Sequence, residues 1–369
     1  LMNDFILMPY PIDTAGVTWF RFTGTKVETE NFEVWVNTPM HAKATVIDGQ
    51  TTIFNASPLL QEYYDDTNHH LRNQKRGKMS WKPFNWFPTK NAIRVPIHDV
   101  NVKIEGAASV DVETTFKLLW EHEGQEFTDS AQSTNIGNEH VQIVRTLPGN
   151  TFNNMYYGET GILQAYQRAF ENAQSLIYIE NQYLTNKRIA QSLFSALKRN
   201  ATLELIVLMN NAVDIPGYFA SQNKLVGDFI KNARSEGFGN RIGFFTRWTY
   251  EQDGQTFAVV RNYVHAKVGI VDDVWATIGS ANLDGTSLDL SEHLLWISRD
   301  DQYEERAVEM NAVFINGIEG FNHSTVPLNL RNSLFTEHLG MTLNQSPAGG
   351  WLQQWKNKAN ETLQNIKTR

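Results

Sequence analysis

A short motif that occurs twice constrains this chain more than any other feature of its sequence. Residues 41–48 read HAKATVID and residues 265–272 read HAKVGIVD, so both copies fit the pattern H-x-K-x4-D. In a chain with only 10 His, a chance match to this pattern is expected about 0.02 times. Each copy has mostly apolar residues between Lys and Asp, which is typical of a buried β-strand. The chain therefore contains two copies of one strand-based unit.

The paired motifs predict a site that binds a phosphodiester. Residues two apart on a strand point to the same face, so His41 lies beside Lys43 and His265 beside Lys267. If the two strands meet, the ammonium groups neutralise phosphoryl oxygens while one imidazole attacks phosphorus and the other protonates the leaving oxygen. Neither step requires a metal. A single histidine on a strand is more often packed or solvated, but the repetition favours the catalytic interpretation.

Each motif ends in an aspartate whose role the spacing leaves open. Asp48 and Asp272 are either further catalytic groups or structural residues. A carboxylate at the end of a strand commonly accepts hydrogen bonds from the backbone N–H groups of a turn. We therefore favour the structural role for both aspartates.

Strands and helices alternate in the second part of the chain, which predicts an α/β fold with a mixed sheet. Residues 122–139 are polar and have no apolar periodicity, so we interpret them as a linker. The linker separates an N-terminal half at residues 1–121, which carries the first motif, from a C-terminal half at residues 140–340, which carries the second. Residues 341–369 form a C-terminal tail in this interpretation.

Composition disfavours several classes of function. The chain has 369 residues and no Cys, which rules out disulfides, thiolate metal sites and thiol nucleophiles. Its formal net charge of -8 disfavours nucleic-acid binding through a broad positively charged surface, and it therefore disfavours a nuclease function. No apolar stretch reaches the roughly 18 residues that a membrane-spanning helix needs. From the net charge we expect no nucleic-acid partner.

The two motifs resemble those of the phospholipase D superfamily, whose members follow H-x-K-x4-D with Gly-Gly/Ser-x-Asn. The second motif is followed by GSAN at residues 279–282, and the resemblance implies that Ser280 and Asn282 contact the phosphate. The first motif is followed by NASP at residues 55–58, which departs from the pattern. The Asn or the Ser of this tetrapeptide is the candidate substitute, and its Pro removes a backbone donor.

Other segments are similar to true phospholipases D rather than to more distant members of the superfamily. They stand in the family's order along the chain: YDDT at residues 64–67, RVPIHD at 94–99, IENQY at 179–183 and EHLG at 337–340. Alone, IENQY is compatible with an ordinary strand, and EHLG with a helix end that Gly terminates. Their shared order supports the resemblance over most of the chain.

The resemblance implies a covalent mechanism. In it, His41 is the nucleophile that forms a phosphohistidine, and His265 is the acid that protonates the departing headgroup and then activates water. Lys43 and Lys267 hold the phosphoryl oxygens together with Asn282. The near-symmetric motifs do not by themselves decide which imidazole attacks.

The resemblance also implies two carboxylates that orient these histidines. Asp65 is the expected partner of His41, and Glu292 is the expected partner of His265. Such a carboxylate fixes the tautomer of the imidazole and stabilises its charged form. No cofactor is required by this mechanism.

The fold implied by the resemblance is α/β with two similar half-domains. Each half-domain is a mixed sheet flanked by helices, and the two pack with pseudo-twofold symmetry. The segment before His41 is much shorter than the corresponding segment before His265. The first half therefore looks incomplete, and we expect an upstream segment or a complementing chain.

Cations and aromatic residues cluster after the first motif and predict contact with a lipid surface. The alternative is a loop whose rings pack at the domain junction and whose charges are only solvated, and the sequence favours neither. The candidate lipid-interface residues are Lys75, Arg76, Trp81, Phe84, Trp86 and Phe87.

The leading functional hypothesis is a phospholipase D that hydrolyses the headgroup phosphodiester of glycerophospholipids to phosphatidic acid at a membrane surface. One alternative is a phosphatidyltransferase such as a cardiolipin synthase, in which an alcohol replaces water. Another is a catalytically degenerate lipid-binding or scaffold protein, which the altered tetrapeptide at residues 55–58 motivates. For the location, which the sequence leaves open, our guess is a secreted or translocated bacterial effector that binds membranes peripherally.

Overall fold

The architecture of the chain is given by a computed structural model. It describes residues 26–28, 33–35, 40–59, 63–71, 73–76, 95–129, 137–149, 151–152, 155–211, 218–253, 256–289, 306–317 and 324–367.

An eight-stranded sheet forms the centre of the C-terminal half. Three neighbouring strands at one edge are parallel, and the strands beyond them are antiparallel, so the mixed α/β sheet predicted from the sequence is confirmed. Across the sheet the strands are β11 Ile242–Phe245, β10 Glu204–Met209, β9 Leu176–Asn181, β15 Lys267–Val271, β16 Trp275–Gly279, β17 Glu309–Ile315, β7 Val141–Leu147 and β8 Glu159–Thr160.

Helices cover both faces of this sheet. Strand β9 is buried along its whole length, and its alternate side chains enter two different apolar clusters. Ile177 and Ile179 pack toward the first helical layer, whereas Leu176 and Tyr178 pack toward the second. The first layer contains α2 Gly161–Asn172, α3 Lys187–Arg199 and α4 Tyr218–Ser235; the second contains α6 Val326–Leu339 and α7 Trp351–Lys367; the short α5 Gly285–Leu288 follows β16.

Helix α7 belongs to the core of the C-terminal half. Trp351, Leu352 and Trp355 are buried in the second apolar cluster, and their spacing places them on one face of the helix. Arg331 of α6 is fully buried, pairs with Asp273, and lies 4.3 Å from the ring centroid of Trp351. The apolar face of α7 therefore completes the layer formed by α6, and the domain boundaries proposed from the sequence remain predictions.

The described part of the N-terminal half is smaller. A three-stranded sheet packs with α1 against the same side as α6 and α7, through Phe54, Ile104 and Val112. The similarity of the two half-domains and their pseudo-twofold packing remain predictions. The remaining elements are β1 Lys26–Glu28, β2 Glu33–Trp35, β3 Ala44–Ile47, β4 Thr51–Phe54, β5 Ile97–His98, β6 Val102–Glu105, α1 Ala108–His122, β12 Trp248–Asp253, β13 Thr256–Arg261 and β14 Tyr263–Val264.

Within the described ranges, no helix combines the length and the apolar character that crossing a membrane requires.

The two motifs require different residues at the end of their second strand. Gly279 ends β16 directly opposite Asn311 of β17, and a Cβ atom there would overlap the Asn311 side chain and the Met310 carbonyl oxygen. In the first half the pairing of β4 with β6 ends at Phe54 and Val102, one residue before the equivalent position. The backbone N–H of Asn55 donates to the carbonyl oxygen of Lys43 at 2.9 Å, but the strand pairing on the β6 side has ended, so Asn55 is tolerated where the second motif needs Gly.

We predict that Gly279→Ala lowers the free energy of unfolding by about 1–3 kcal/mol, because the added methyl group meets backbone that cannot move away easily. Gly227→Ala is the matched control, since Gly227 lies within α4 and has no neighbouring atom within 4 Å of an added Cβ. This control should be neutral or stabilising by up to about 1 kcal/mol. Denaturant unfolding of both variants measures the difference, and equal effects would contradict the steric explanation.

Candidate active site

His41 is held by residues of the C-terminal half. Its Nδ1 lies 2.7 Å from Oε1 of Glu309, which is fully buried at the start of β17. The backbone N–H of His41 donates to the carbonyl oxygen of Val308 at 3.1 Å. Burial raises the pKa of Glu309, but His41 and Lys43 outweigh it and lower the pKa below its ordinary value. The first motif is therefore completed by a carboxylate from the other half.

His265 is held in the corresponding way by the N-terminal half. Its Nδ1 lies 3.0 Å from Oδ2 of Asp99 and 3.2 Å from Oγ of Ser57. Its backbone N–H donates to the carbonyl oxygen of His98 at 2.8 Å. Burial raises the pKa of Asp99, yet the attraction of His265 and Lys267 lowers it below its ordinary value. Each motif histidine thus lies at the contact between the halves.

These contacts change the predicted orienting residues. Asp65 does not orient His41: its carboxylate pairs with Arg76 at 2.7 Å, lies 3.2 Å from Nδ1 of His69, and accepts from the backbone N–H of Ile97. The predicted partner of His265, Glu292, lies outside the described residues. Asp99 belongs to the RVPIHD segment, so the sequence contained that signal, whereas Glu309 belongs to no recognised motif.

Each motif lysine donates to the carbonyl oxygen of the histidine two residues before it. Lys267 is fully buried, and its Nζ donates to the carbonyl oxygen of His265 at 2.7 Å and to Oε1 of Gln182 at 3.0 Å. Lys43 donates to the carbonyl oxygen of His41 at 2.8 Å. The charge of Lys43 also contributes to the pKa of His265, which burial, followed by Lys267, lowers to about 4. Both lysines therefore act electrostatically on one site.

Serines of the two tetrapeptides support the orienting carboxylates. Ser57 donates to Asp99, which holds His265, and Ser280 donates to Glu309, which holds His41. Ser280 therefore supports Glu309, and its contact with phosphate remains a prediction. Asn282 is buried, and among the described residues its Oδ1 has no hydrogen-bond partner.

A further buried carboxylate near His41 was not recognised in the sequence. Asp284 accepts a hydrogen bond from the backbone N–H of Ser287 and thereby caps α5. Burial raises the pKa of Asp284 to about 6, and the nearby charge of Glu309 contributes in the same direction. This environment differs from that of Glu309, whose pKa is lowered, although both lie near His41.

The motif aspartates have contacts that agree with a structural role. Asp272 accepts hydrogen bonds from the backbone N–H groups of Gln174, Ser175 and Leu176, and so joins the start of β9 to the end of β15. Asp48 lies in the turn between β3 and β4 with a positive φ of 52°. Neither aspartate has a described contact with a motif histidine.

The candidate lipid-interface segment is described only at its start. Arg76 is almost completely buried against Asp65, so its guanidinium is not available to a lipid headgroup. This part of the prediction is wrong. Lys75 is exposed and lies 5.5 Å from the ring centroid of Tyr64. Trp81, Phe84, Trp86 and Phe87 lie outside the described residues.

A buried cluster of histidines and carboxylates lies behind Asp99 and His265. His98 contacts Glu180 and Glu337, which also contact His338 and His69 respectively. Two sets of these residues place ligand-type atoms within 4.8 Å of one another, which is close enough for a metal ion: His69, His98 and Glu337, and His98, Glu180 and His338.

Comparisons with known proteins identify relatives of the phospholipase D type. A family model described as cardiolipin synthase, PLD-like domain, matches residues 166–314. Phospholipase D A of Dictyostelium discoideum is 23% identical over 82% of this chain, and cardiolipin synthase B of Escherichia coli K12 is 31% identical over 30% of it. The chain covers 27% of the first relative and 28% of the second, so it spans little more than a quarter of their lengths.

Solved structures give weaker matches. Phosphatidylserine synthase of Haemophilus influenzae is 14% identical, with a TM-score of 0.44 over 76% of this chain and 60% of that chain. The phospholipase D family member Nuc of Salmonella typhimurium is 15% identical, with a TM-score of 0.28 over 48% of this chain and 84% of that chain. The repeated motif, the order of the other family segments and the sequence relatives lead to one assignment. The chain belongs to the phospholipase D superfamily.

Proposed function

We propose that this protein hydrolyses the headgroup phosphodiester of glycerophospholipids to phosphatidic acid through a phosphohistidine. One observation carries the proposal: each motif histidine has its Nδ1 on a buried carboxylate from the other half, at Glu309 and Asp99. An Nδ1–H that donates to a carboxylate leaves Nε2 of each ring for chemistry at phosphorus. The membrane surface supplies the substrate, and no metal or nucleic acid takes part.

In the first step, Nε2 of His41 attacks phosphorus while the bond to the headgroup oxygen breaks. His265 donates the proton that this oxygen requires, and Glu309 stabilises the imidazole of His41 as it becomes positively charged. In the second step, His265 removes a proton from water, which attacks phosphorus and releases His41. Lys43 and Lys267 offset the charge that develops on the phosphoryl oxygens.

The low pKa of His265 bears directly on these roles. At about 4, it leaves His265 neutral at pH 7 before substrate binds. A neutral imidazole can attack or accept a proton, but it cannot protonate a leaving group. A phosphodiester anion beside the ring adds negative charge and raises the pKa, so His265 gains its proton together with substrate in the mechanism that we propose.

A phosphatidyltransferase is the second candidate. It is favoured by the family model and by the Escherichia coli relative, both of which are described as cardiolipin synthase. The first step is identical, and an alcohol then replaces water in the second. A catalytically degenerate binding protein is the remaining alternative, and it predicts no turnover of any phosphodiester.

We predict that ethanol competes with water for the covalent intermediate. With phosphatidylcholine vesicles and ethanol present, phosphatidylethanol should form at the expense of phosphatidic acid, with the configuration at phosphorus retained because two in-line displacements each invert it. Lipid analysis measures both products. Active enzyme that makes only phosphatidic acid with inverted configuration would rule out the phosphohistidine route. Glycerol-linked acceptors that react much faster than water would favour the phosphatidyltransferase.

We predict that Glu309→Gln and Asp99→Asn each lower kcat by about 10–100-fold, because the amide cannot stabilise a charged imidazole. The matched control is Glu251→Gln, which alters a histidine–carboxylate pair at His70 that is largely exposed. This control should retain its kcat. Steady-state kinetics with circular dichroism checks both points, and unchanged kcat in the two folded site variants would contradict the assignment of the orienting carboxylates.

A further inference from the structure

We propose that His98 is a positioning residue for His265, held in place by its buried hydrogen bonds to Glu180 and Glu337. The inference rests on the proposed phosphodiesterase mechanism, but it concerns a residue that has no role in the chemical steps. It acts through Asp99, the next residue in the chain.

The backbone around His98 carries two contacts that fix His265. The carbonyl oxygen of His98 accepts hydrogen bonds from the N–H groups of His265 at 2.8 Å and Ala266 at 3.1 Å. The carboxylate of Asp99 lies 3.0 Å from Nδ1 of His265. The pairing of β5 with β14 comprises only two residues in each strand. Such a short pairing gives limited stability, so the position of this segment depends on its side-chain anchors.

The His98 side chain is anchored at both ring nitrogens. It is 2% exposed, its Nε2 lies 2.5 Å from Oε2 of Glu180, and its Nδ1 lies 2.9 Å from Oε1 of Glu337. Only a protonated imidazole donates to two carboxylates at once. Burial lowers the pKa of His98, but the two carboxylates, Glu180 first, overcome this and raise it to about 9. His98 is therefore a buried cation at neutral pH.

The two carboxylates connect His98 to rigid parts of the C-terminal half. Glu180 lies in β9, between β10 and β15 of the eight-stranded sheet, and also accepts from His338, at 2.7 Å, and from Tyr178. Glu337 lies in α6 and also accepts from Arg247 at 2.8 Å. The catalytic imidazole of His265 is thus positioned from the sheet and α6 through a segment of the N-terminal half.

A metal ion at this cluster is the main alternative, and the geometry disfavours it. Ligand atoms around a tetrahedral zinc ion lie about 3.3 Å apart, whereas Nε2 of His98 and Oε2 of Glu180 are 2.5 Å apart. The charges also balance without an ion. Three carboxylates, of Asp65, Glu180 and Glu337, are matched by the His98 cation and the guanidinium groups of Arg76 and Arg247. The charged and titratable groups that surround His98 are Asp65, His69, Arg76, Tyr178, Glu180, Arg247, Glu337 and His338.

The raised pKa predicts a pH dependence that belongs to His98. Because the folded pKa of about 9 exceeds the ordinary value of 6.5, the proton stabilises the fold fully below pH 6.5, and this contribution is lost as the pH rises through 9. Thermal unfolding of the wild-type protein should therefore move to lower temperature over this range. In His98→Gln the slope should be smaller. An identical slope in both proteins would overturn the cationic state of His98.

The decisive test compares His98→Gln with His70→Gln. His98→Gln should lower kcat by about 10–100-fold and leave KM within about twofold of wild type, because the phosphate-binding groups are unchanged. His70 is the matched control, since its Nδ1 lies 2.7 Å from Glu251 in a pair whose histidine is 60% exposed. His70→Gln should have wild-type kinetics. Glu337→Gln, which removes the other end of the same hydrogen bond, should give the same defect without adding to it in the double variant.

NMR of the Nδ1 proton of His265 provides a readout that does not depend on activity. In wild type this proton should resonate downfield because it is shared with Asp99, and in His98→Gln it should shift upfield or exchange faster. If the wild-type protein cleaves no phosphodiester but the proton responds in this way, the proposed function fails and the positioning role stands. Unchanged kcat and an unchanged proton in folded His98→Gln overturn the positioning role. Loss of folded protein in both His98→Gln and Glu337→Gln also overturns the positioning role, as does a stoichiometric metal in the purified protein.

Discussion

The buried pairing of each motif histidine with a carboxylate of the other half is the interaction on which the site depends. Asp99 and Glu309 lie in environments where an isolated carboxylate is unstable, so each requires a hydrogen-bonded partner. That partner is a histidine from the other motif. Separating the halves would remove both histidine partners and leave each carboxylate with only the serine of its own half among these contacts, Ser57 for Asp99 and Ser280 for Glu309. The same contacts therefore hold the halves together and orient the catalytic groups.

This reciprocity explains features that a single motif does not. The serines of the two unlike tetrapeptides, Ser57 and Ser280, support the carboxylate that holds the histidine of the other motif. The first tetrapeptide departs from the family pattern, but its Ser57 still supplies a hydroxyl that supports a carboxylate. Its Asn stands where the strand pairing has already ended, whereas Gly279 is required by the close approach of β17.

Local patterns in the sequence predicted the mixed α/β sheet and the strand character of both motifs. They did not predict Glu309, because it lies 268 residues from His41. Its strand, β17, lies between β16 and β7, and a local sequence pattern does not specify which strands become neighbours. The place of Asp65 in the YDDT segment predicts that it orients His41, whereas its carboxylate pairs with Arg76 and His69. The local pattern of α7 likewise gives no sign of the surface that its apolar face covers. The sequence alone indicated which segments are strands and helices, but it did not indicate which distant residues contact one another.

The central claim is that both motifs form one site in which His41 carries the phosphoryl group and His265 transfers the proton. The most direct measurement uses a phosphatidyl ester of 4-nitrophenol, whose leaving group needs no proton, with the variants His265→Asn and His41→Asn. His265→Asn should release about one nitrophenol per protein in a burst and then stop, with the phosphatidyl group on His41 after alkaline quench and peptide mapping, because water is no longer activated. His41→Asn should give no burst. A burst from His41→Asn with the lipid on His265 would reverse the roles, and the absence of a histidine adduct in actively turning-over protein would contradict the covalent mechanism.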